Sequence, residues 1–375
     1  MRTTASYDLF PDARSERALA RARWLAREGR TREAQSAYDD LLTSKPELKA
    51  CWAEYFELLR STGRAAEALE LADRARAAFG ETGFALTLRG AALTEMGRYA
   101  DALAELERAV EADPDLALVW HELGYAAYKL GDRNRALLAL DRAFALEPHT
   151  DTLKLRGLIL RDAGRYQAAE VAFEGAAEAA EHDEQRSDAA REIAVTHRYG
   201  SYGNRRPEDL TPAERWFADT GSIVLAPTPG PVAPSDETLV ATFVEVAANS
   251  GWSFGQVILL GPEFPAIQEL AERLGAPLVT PALLEPAANP LIVGLRPLTA
   301  DRTWTAMAAR LASEQTGLVL ALEHPAENPA AVSADVIGVL ADAGKRRPQA
   351  PNPLLAASLS QHPGSRLLGR RLRPV

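Results

Sequence analysis

The sequence predicts a helical solenoid in the first half of the chain and an α/β domain in the second half. In the first half, glycines recur at a nearly constant spacing of 34 or 33 residues, at Gly29, Gly63, Gly97, Gly131 and Gly164. A fixed period of this length is typical of stacked helical hairpins. In the second half the period is absent. Short apolar runs alternate there with helical patterns, which indicates a mostly parallel sheet with helices packed on it.

The first half is expected to contain five helical hairpins. Each glycine fits the tight turn between two short helices. Five residues later, every unit has an alanine that fits a close helix crossing, at positions 34, 68, 102, 136 and 169. The units start near Ser15, Lys49, Gly83, Ala117 and Thr150. Prolines at positions 46, 114 and 148 are expected to end second helices, because proline lacks the N–H group and clashes with the preceding turn.

The hairpin region is expected to span residues 15–199, after a flexible N-terminus of residues 1–14. Each hairpin has an apolar stripe on both sides, so it is stable only between neighbours. The polar segment 183–198 is expected to form a capping helix that shields the last stripe. The predicted solenoid is therefore five hairpins followed by one capping helix.

These units closely resemble the tetratricopeptide repeat family. The fourth unit matches that family's pattern almost fully, with Trp120, Leu123, Gly124, Ala136, Leu140, Ala143 and Pro148. The third unit keeps Leu86, Gly90, Ala102, Leu106, Ala109 and Pro114. The resemblance implies that the solenoid binds a protein or peptide. The family's clamp for chaperone tails needs a Lys and Asn pair where this chain has Leu19 and Arg23, which argues against a cochaperone.

The resemblance also implies that the first helices of the units line a concave groove. The residues expected to face that groove are Arg23, Arg27, Glu57, Arg60, Thr87, Thr94, His121, Tyr125, Tyr128, Lys154 and Arg161. The two tyrosines offer amphipathic contact area of the kind enriched at binding hot spots. The histidine, the lysine and the last arginine can receive a carboxylate. The alternative is that these side chains are only solvated helix faces.

Composition and charge limit the class of partner. The 375-residue chain has a net charge of −10 and a single cysteine, Cys51. Residues 1–200 and 201–344 are both net acidic and are expected to repel nucleic acid. The sequence has no apolar run of 18 residues, and its start lacks the apolar core of a secretory signal. We expect a cytoplasmic protein with no membrane partner and no metal site.

After a turn-rich linker at residues 200–214, the sequence predicts an α/β domain over residues 215–344. Apolar runs predict six buried strands, at residues 222–226, 256–260, 277–280, 290–295, 317–322 and 335–340. Helices are predicted at 236–249, 265–274 and 301–313, followed by the stop signals Gly251, Gly275 and Gly317. Because such sheets bind ligands at the carboxyl ends of their strands, the loops after residues 226, 260 and 295 are candidate sites.

Those loops carry little recognisable chemistry. Glycine-rich phosphate loops and nucleophile elbows are absent from the sequence, and we expect no cofactor. A candidate small-ligand pocket consists of Arg296, Thr299, Asp301, Arg302, Thr303 and His324. The order of apolar runs also looks like that of type I phosphoribosyltransferases, but Gly294 and Leu295 stand in the places of that family's acidic pair. The missing acids argue against transferase chemistry. A generic α/β helper domain is the favoured interpretation, and the alternative is a decayed enzyme fold reused for binding.

Residues 345–375 are expected to form a basic tail rich in proline and arginine. The leucines interspersed among its last arginines are expected to dock on a partner or to pack on the α/β domain. They are Leu367, Leu368 and Leu372. The whole pattern favours an adaptor that binds a peptide or protein in the repeat groove and whose α/β domain is not catalytic. The alternative is an enzyme whose α/β domain acts on a substrate that the repeats recruit.

Overall fold

The computed structural model describes residues 13–296, 302–325, 334–342, 345–346, 348–370 and 372. These residues form two compact units. The first unit comprises the described residues up to Ile159 together with Val171–Ser187. The second comprises Leu160–Glu170 together with the described residues from Asp188 onward. The division between the units therefore passes through the fifth predicted hairpin.

Ten helices form five hairpins with the predicted period, which confirms the helical solenoid. The first helices of the hairpins are α1 (Ala13–Arg27), α3 (Lys49–Ser61), α5 (Gly83–Glu95), α7 (Ala117–Leu130) and α9 (Thr150–Asp162). The second helices are α2 (Thr31–Ser44), α4 (Ala65–Phe79), α6 (Tyr99–Ala112), α8 (Arg133–Leu146) and α10 (Tyr166–Glu178). Helix α11 (Asp183–Gly200) follows, where the capping helix was predicted. None of the described helices is both long and apolar enough to cross a membrane.

The repeated residues act as the sequence predicts. The five turn glycines all have a positive φ between 70° and 93°, a conformation that favours glycine. The five alanines that follow them are completely buried between helices. At two junctions a tryptophan indole N–H donates to the carbonyl of the preceding proline: Trp52 to Pro46 and Trp120 to Pro114, both at 2.8 Å. These bonds tie each of the two hairpins to the linker before it.

In the first four hairpins, the first helices of neighbouring hairpins lie closer together than the second helices do. Helix α3 contacts both α1 and α5, and α5 contacts α7, whereas the second helices of neighbouring hairpins approach each other less closely. An array in which one set of helices is closer together curves toward that set. The expected concave side is therefore the side of the first helices.

The second unit contains a sheet of six parallel strands. In chain order these strands are β1 (Ile223–Val224), β3 (Gln256–Leu259), β4 (Leu278–Val279), β5 (Pro290–Gly294), β6 (Leu318–Pro325) and β7 (Val336–Asp342). Their order across the sheet is β1-β7-β6-β5-β3-β4, with β8 (Lys345–Arg346) antiparallel to β7. The short strands β2 (Thr228–Pro229) and β9 (Gln349–Ala350) form a separate antiparallel pair. All six predicted strands are present, and the predicted α/β class is confirmed.

Helices cover both faces of the sheet. Helices α13 (Asp236–Ser250), α14 (Ala266–Leu274) and α16 (Pro353–Ser360) contribute to the core on one face. Helices α12 (Pro212–Thr220) and α15 (Arg302–Glu314) contribute to the core on the other face. Strands β4 and β5 lie on opposite sides of β3. The direction in which successive strands are added to the sheet therefore reverses between β3 and β5. Such a reversal is the usual ligand position in sheets of this type.

The described part of the C-terminal segment packs on the α/β domain, which is one of the two alternatives given for its leucines. It adds β8, β9 and α16 to the second unit, and Leu367 and Leu372 are buried in the core beneath α13. The amide of Ser253 donates to the carbonyl of Leu372 at 2.8 Å. The physical reason is that the apolar leucines between the arginines cover sheet and helix surface that would otherwise face water. Leu368, which lies between Leu367 and Leu372 in the sequence, is largely exposed.

Candidate partner-binding groove

Helix α7 presents an aromatic row on the inner side of the first unit. His121, Tyr125 and Tyr128 are four and three residues apart, a spacing that places them on one helix face. Both tyrosines are half-buried and pack against the core of the third and fourth hairpins. The ammonium group of Lys129 lies 5.2 Å from the centre of the Tyr125 ring. The row is therefore a set of amphipathic side chains whose inner edges are held by packing.

Two of the residues that were predicted to face the groove are buried in the structure. Thr87 and Thr94 on α5 are only 1% and 3% exposed. Their hydroxyls donate to backbone carbonyls of the preceding turn, Thr87 to Gly83 at 2.6 Å and Thr94 to Gly90 at 3.0 Å. Helix α5 contacts α3, α4, α6 and α7, and most of its residues, including both threonines, are buried. Neither threonine is available to a partner.

An arginine of the second hairpin lies close to a glutamate of the fourth hairpin. Arg60 on α3 is bound to Glu57 of its own helix at 2.8 Å, and its Nη1 lies 3.5 Å from Oε1 of Glu122 on α7. Glu122 is 6% exposed. Burial raises the pKa of its carboxyl group, an effect that the nearby Arg60 opposes. Its Oε2 has no hydrogen-bond partner among the described residues.

His121 is held in its uncharged form. Its Nδ1 lies 3.0 Å from the hydroxyl oxygen of Thr152 on α9. Burial, helped by the positive charge of Arg60, lowers the pKa of His121 to about 4. At neutral pH the imidazole therefore carries no charge. The expectation that His121 receives a carboxylate as a cation is not supported, because a neutral ring offers hydrogen bonds only.

The other predicted groove residues differ in their surroundings. Arg23 is exposed and donates to Glu54 at 2.8 Å. Arg27 is exposed and Lys154 is half-buried. Arg161 belongs to the second unit, where it pairs with Glu192 at 2.6 Å and lies over the Tyr199 ring at 5.8 Å. The structure thus brings His121, Tyr125 and Tyr128 together and places Arg161 in a different set of contacts.

A cavity of about 310 Å³ lies where the fourth and fifth hairpins meet. Its polar lining consists of Arg60, His121, Glu122, Glu147, His149, Asp151 and Thr152. Ala117 and Leu118 at the start of α7 provide the apolar part of the wall. Sequence reasoning did not identify Glu122 as a site residue. The sequence signal for it is that Glu122 is the one acidic residue of α7.

One predicted pocket residue, Arg296, belongs to an ion-pair network in the described part of the α/β unit. Glu323 at the end of β6 is 3% exposed and pairs with Arg296 at 2.7 Å and with Arg346 at 3.1 Å. Arg346 also pairs with Asp236 at the start of α13. These four side chains balance one another in charge. Glu323, Arg346 and Asp236 were not predicted, because the contacts join segments that are far apart in the sequence.

The remaining predicted pocket residues do not converge. His324 is buried, its Nδ1 lies 2.9 Å from the Pro325 carbonyl, and its ring packs on Trp216 at a centroid distance of 5.1 Å. Arg302 and Thr303 are exposed on the first turn of α15. Thr299 and Asp301 lie outside the described residues. Burial lowers the pKa of His324, as expected for a packed imidazole.

Comparisons with known proteins match the helical region. Family models described as "TPR repeat" and "Tetratricopeptide repeat" match residues 90–131 and 121–184. The crystal structure of TTC0263, a thermophilic TPR protein of Thermus thermophilus, is 20% identical, with 48% of this chain and 98% of that chain covered and a TM-score of 0.42. PilW, a type IV pilus biogenesis factor, is 18% identical, with 51% and 93% covered and a TM-score of 0.38. YrrB, a TPR protein with an unusual peptide-binding site, is 18% identical, with 46% and 90% covered and a TM-score of 0.31.

The comparisons leave the second half without a family. No curated protein matches the chain. Nothing among the matches supports the likeness to phosphoribosyltransferases. The two family models together cover residues of the third, fourth and fifth hairpins. The N-terminal region of this chain therefore contains tetratricopeptide repeats, modules of protein–protein interaction.

Proposed function

We propose that the protein is an adaptor that binds a protein or peptide partner on the inner side of its repeats. The observation that carries this proposal is the aromatic row on α7. Tyr125 and Tyr128 are partly exposed, yet their inner edges are packed against the core. A tyrosine held in this way gives a partner a large contact area at little cost in side-chain entropy.

The partner is expected to meet the fourth and fifth hairpins rather than the middle of the array. The third hairpin offers few exposed side chains on this side, because α5 is buried along nearly its whole length. Lys129 beside Tyr125 and the half-buried Lys154 add positive charge next to the row. The binding surface is therefore proposed to be aromatic with a basic edge.

We assign the α/β unit a non-catalytic role in this adaptor. Four of its described charged side chains at the carboxyl ends of the strands pair with one another: Arg296 and Arg346 with Glu323, and Arg346 with Asp236. His324 is occupied by Trp216 and the Pro325 carbonyl. An enzyme needs a titratable group directed at a substrate, and these side chains are directed at each other. The unit is proposed to supply a second surface for assembly.

The test measures partner affinity in a tyrosine double variant. The full-length chain is used as bait in a lysate of the source cell, and a captured protein is then purified and titrated against the parent and Tyr125→Ala/Tyr128→Ala. If the tyrosines are anchors, each should contribute about 1–2 kcal/mol of affinity. The double variant should keep the helical circular dichroism of the parent, because neither residue fills a fully buried position.

Tyr99→Ala is the matched control. Tyr99 is also half-buried and starts α6, a second helix, so it lies outside the inner row. We expect Tyr99→Ala to bind the partner as tightly as the parent does. Equal affinity of the parent and the double-tyrosine variant for the partner would refute the proposed surface.

A further inference from the structure

The cavity between the fourth and fifth hairpins has a buried carboxylate that the described residues do not satisfy. Glu122 lines the cavity, and its Oε2 has no hydrogen-bond partner among them. Its Oε1 is 3.5 Å from Arg60, which is longer than a hydrogen bond. Arg60 itself is engaged more closely by Glu57 at 2.8 Å. A buried polar atom without a partner requires an explanation, since native proteins satisfy most such atoms.

The lining of the cavity is predominantly acidic. Three carboxylates line it, those of Glu122, Glu147 and Asp151, against the single guanidinium of Arg60. His121 adds no charge, because its imidazole is neutral and faces Thr152. Glu147 and Asp151 are exposed at the rim, whereas Glu122 is buried at the inner end. The charges therefore favour a cation that enters past the rim and ends at Glu122.

We propose that this cavity binds a primary ammonium group of the partner, either a lysine side chain or a free amino terminus. This inference rests on the proposed function and names the chemistry of the partner at the same inner side of the repeats. The Nζ of a lysine offers three donors, which fits an acidic cavity whose innermost carboxylate lacks a partner. The aliphatic stem of a lysine can pack on Ala117 and Leu118 in the apolar wall.

The cavity is placed to work together with the aromatic row. His121 contributes to the lining of the cavity and is the first member of the row that continues through Tyr125 and Tyr128. A peptide lying on the two tyrosines can therefore place one residue in the cavity. A cation there also favours the ionised form of Glu122, because an opposite charge offsets the cost of burying a carboxylate.

The test is a peptide selection with the full-length protein. A random heptapeptide pool is prepared in two forms, one with free and one with acetylated amino termini, and bound peptides are sequenced by mass spectrometry. If lysine is the source of the ammonium group, both pools should be enriched in lysine at one position. If the amino terminus is the source, only the free pool should yield binders. Selected peptides are then titrated against variants.

Glu122→Gln removes the charge and keeps the size of the side chain. We expect it to weaken the selected peptides about tenfold or more, the effect of losing a hydrogen bond to a charged group. Glu111→Gln, the same change at an exposed position on α6 outside the cavity, should leave affinity unchanged. If Glu122→Gln fails to fold by circular dichroism, Asp151→Asn at the exposed rim replaces it and should weaken the same peptides.

Three outcomes would overturn the ammonium site while leaving the adaptor function intact. One is that the parent and Glu122→Gln select the same peptides with equal affinity. A second is that the selected peptides carry neither lysine nor a required free amino terminus, for example because arginine stands at the fixed position. Such peptides would still bind Tyr125→Ala/Tyr128→Ala more weakly than the parent. If the parent selects no peptide from either pool, the ammonium site is refuted. Failure of the tyrosine test with a captured protein would refute the adaptor separately.

Discussion

At the residue scale, three glycines on first helices determine how closely the two helices of a hairpin pack. A Cβ atom at Gly124 would lie 2.8 Å from Leu140 Cγ, and one at Gly90 would lie 2.5 Å from Leu106 Cγ. A Cβ atom at Gly157 would lie 2.7 Å from the Phe173 ring. In each case the facing side chain is completely buried and has little room to move. The glycine is therefore required by the size of its partner on the second helix.

Gly124→Leu should destabilise the fourth hairpin. The added side chain would overlap Leu140, whose surroundings are close-packed, and overpacking of this kind costs roughly 1–3 kcal/mol or more. Thermal unfolding followed by circular dichroism should show a lower melting temperature than the parent. Ala145→Leu is the control, because it adds a leucine at an exposed position of α8. If both variants melt at the parent's temperature, the proposed packing at Gly124 is wrong.

At the element scale, strands β6 and β7 depart from the regular alternation of side chains between the two faces of the sheet. Val336 and Val339 both contribute to the core beneath α13, although a regular strand would place residues three apart on opposite faces. A Cβ atom at Gly338 would collide with the Leu322 carbonyl oxygen, so only glycine permits the close approach of the two strands there. His324 therefore packs on Trp216, while Glu323 is turned toward Arg346.

This departure from alternation explains why the candidate pocket of the α/β unit was not predictable. Strand β6 is buried on both faces from Leu318 to His324, so its sequence shows no apolar–polar alternation. Without alternation, sequence alone does not indicate which face receives Glu323 or His324. The strand after α15 was predicted to end at residue 322, but β6 continues to Pro325, so Glu323 and His324 lie in the strand rather than after it.

The C-terminal segment yields a second prediction at this scale. Leu367 is 5% exposed in the core beneath α13, whereas its neighbour Leu368 is 58% exposed. Leu367→Ala should destabilise the second unit by about 2–5 kcal/mol, the range for removing a buried leucine side chain. Leu368→Ala should leave stability nearly unchanged. Urea unfolding monitored by tryptophan fluorescence tests both, and equal midpoints for the two variants would contradict the packing of this segment.

At the scale of the whole molecule, the boundary between the two units does not coincide with the end of the repeats. Leu160–Glu170 belong to the second unit, although they complete α9 and start α10. Tyr166 stacks on Tyr199 with ring centres 6.0 Å apart, and its hydroxyl donates to the Arg205 carbonyl. Leu210 in the predicted linker is buried beside them. The turn of the fifth hairpin is thus part of the second unit's structure.

A truncation series tests this assignment. Fragment 150–375 keeps Leu160–Glu170, whereas fragment 188–375 lacks them. We expect fragment 188–375 to melt at a lower temperature, because Tyr199 and Leu210 lose the packing of Tyr166. Tyr166→Ala in fragment 150–375 should lower its melting temperature toward that of the shorter fragment. Identical melting of all three proteins would show that the turn contributes nothing to the second unit.

The amino-acid sequence by itself determined the repeat, the hairpin boundaries and the six parallel strands. These features depend on local signals, since glycine, proline and apolar periodicity act within a few residues of where they stand. Helices α12 and α16 were not predicted, because each is short and begins at a proline that follows a turn-rich segment. The aromatic row on α7 was also predictable, because residues three and four apart on a helix share a face.

Only the tertiary structure decided which candidate residues are accessible and which are paired. Thr87 and Thr94 are covered because α5 packs against four other helices and is buried along nearly its whole length. Arg60 meets Glu122 across 62 positions of sequence, and Arg370 pairs with the buried Asp335 at 2.7 Å across 35. The distance between the two members of such a pair depends on how the helices and strands around them pack. That information is distributed over the whole chain, and no local pattern contains it.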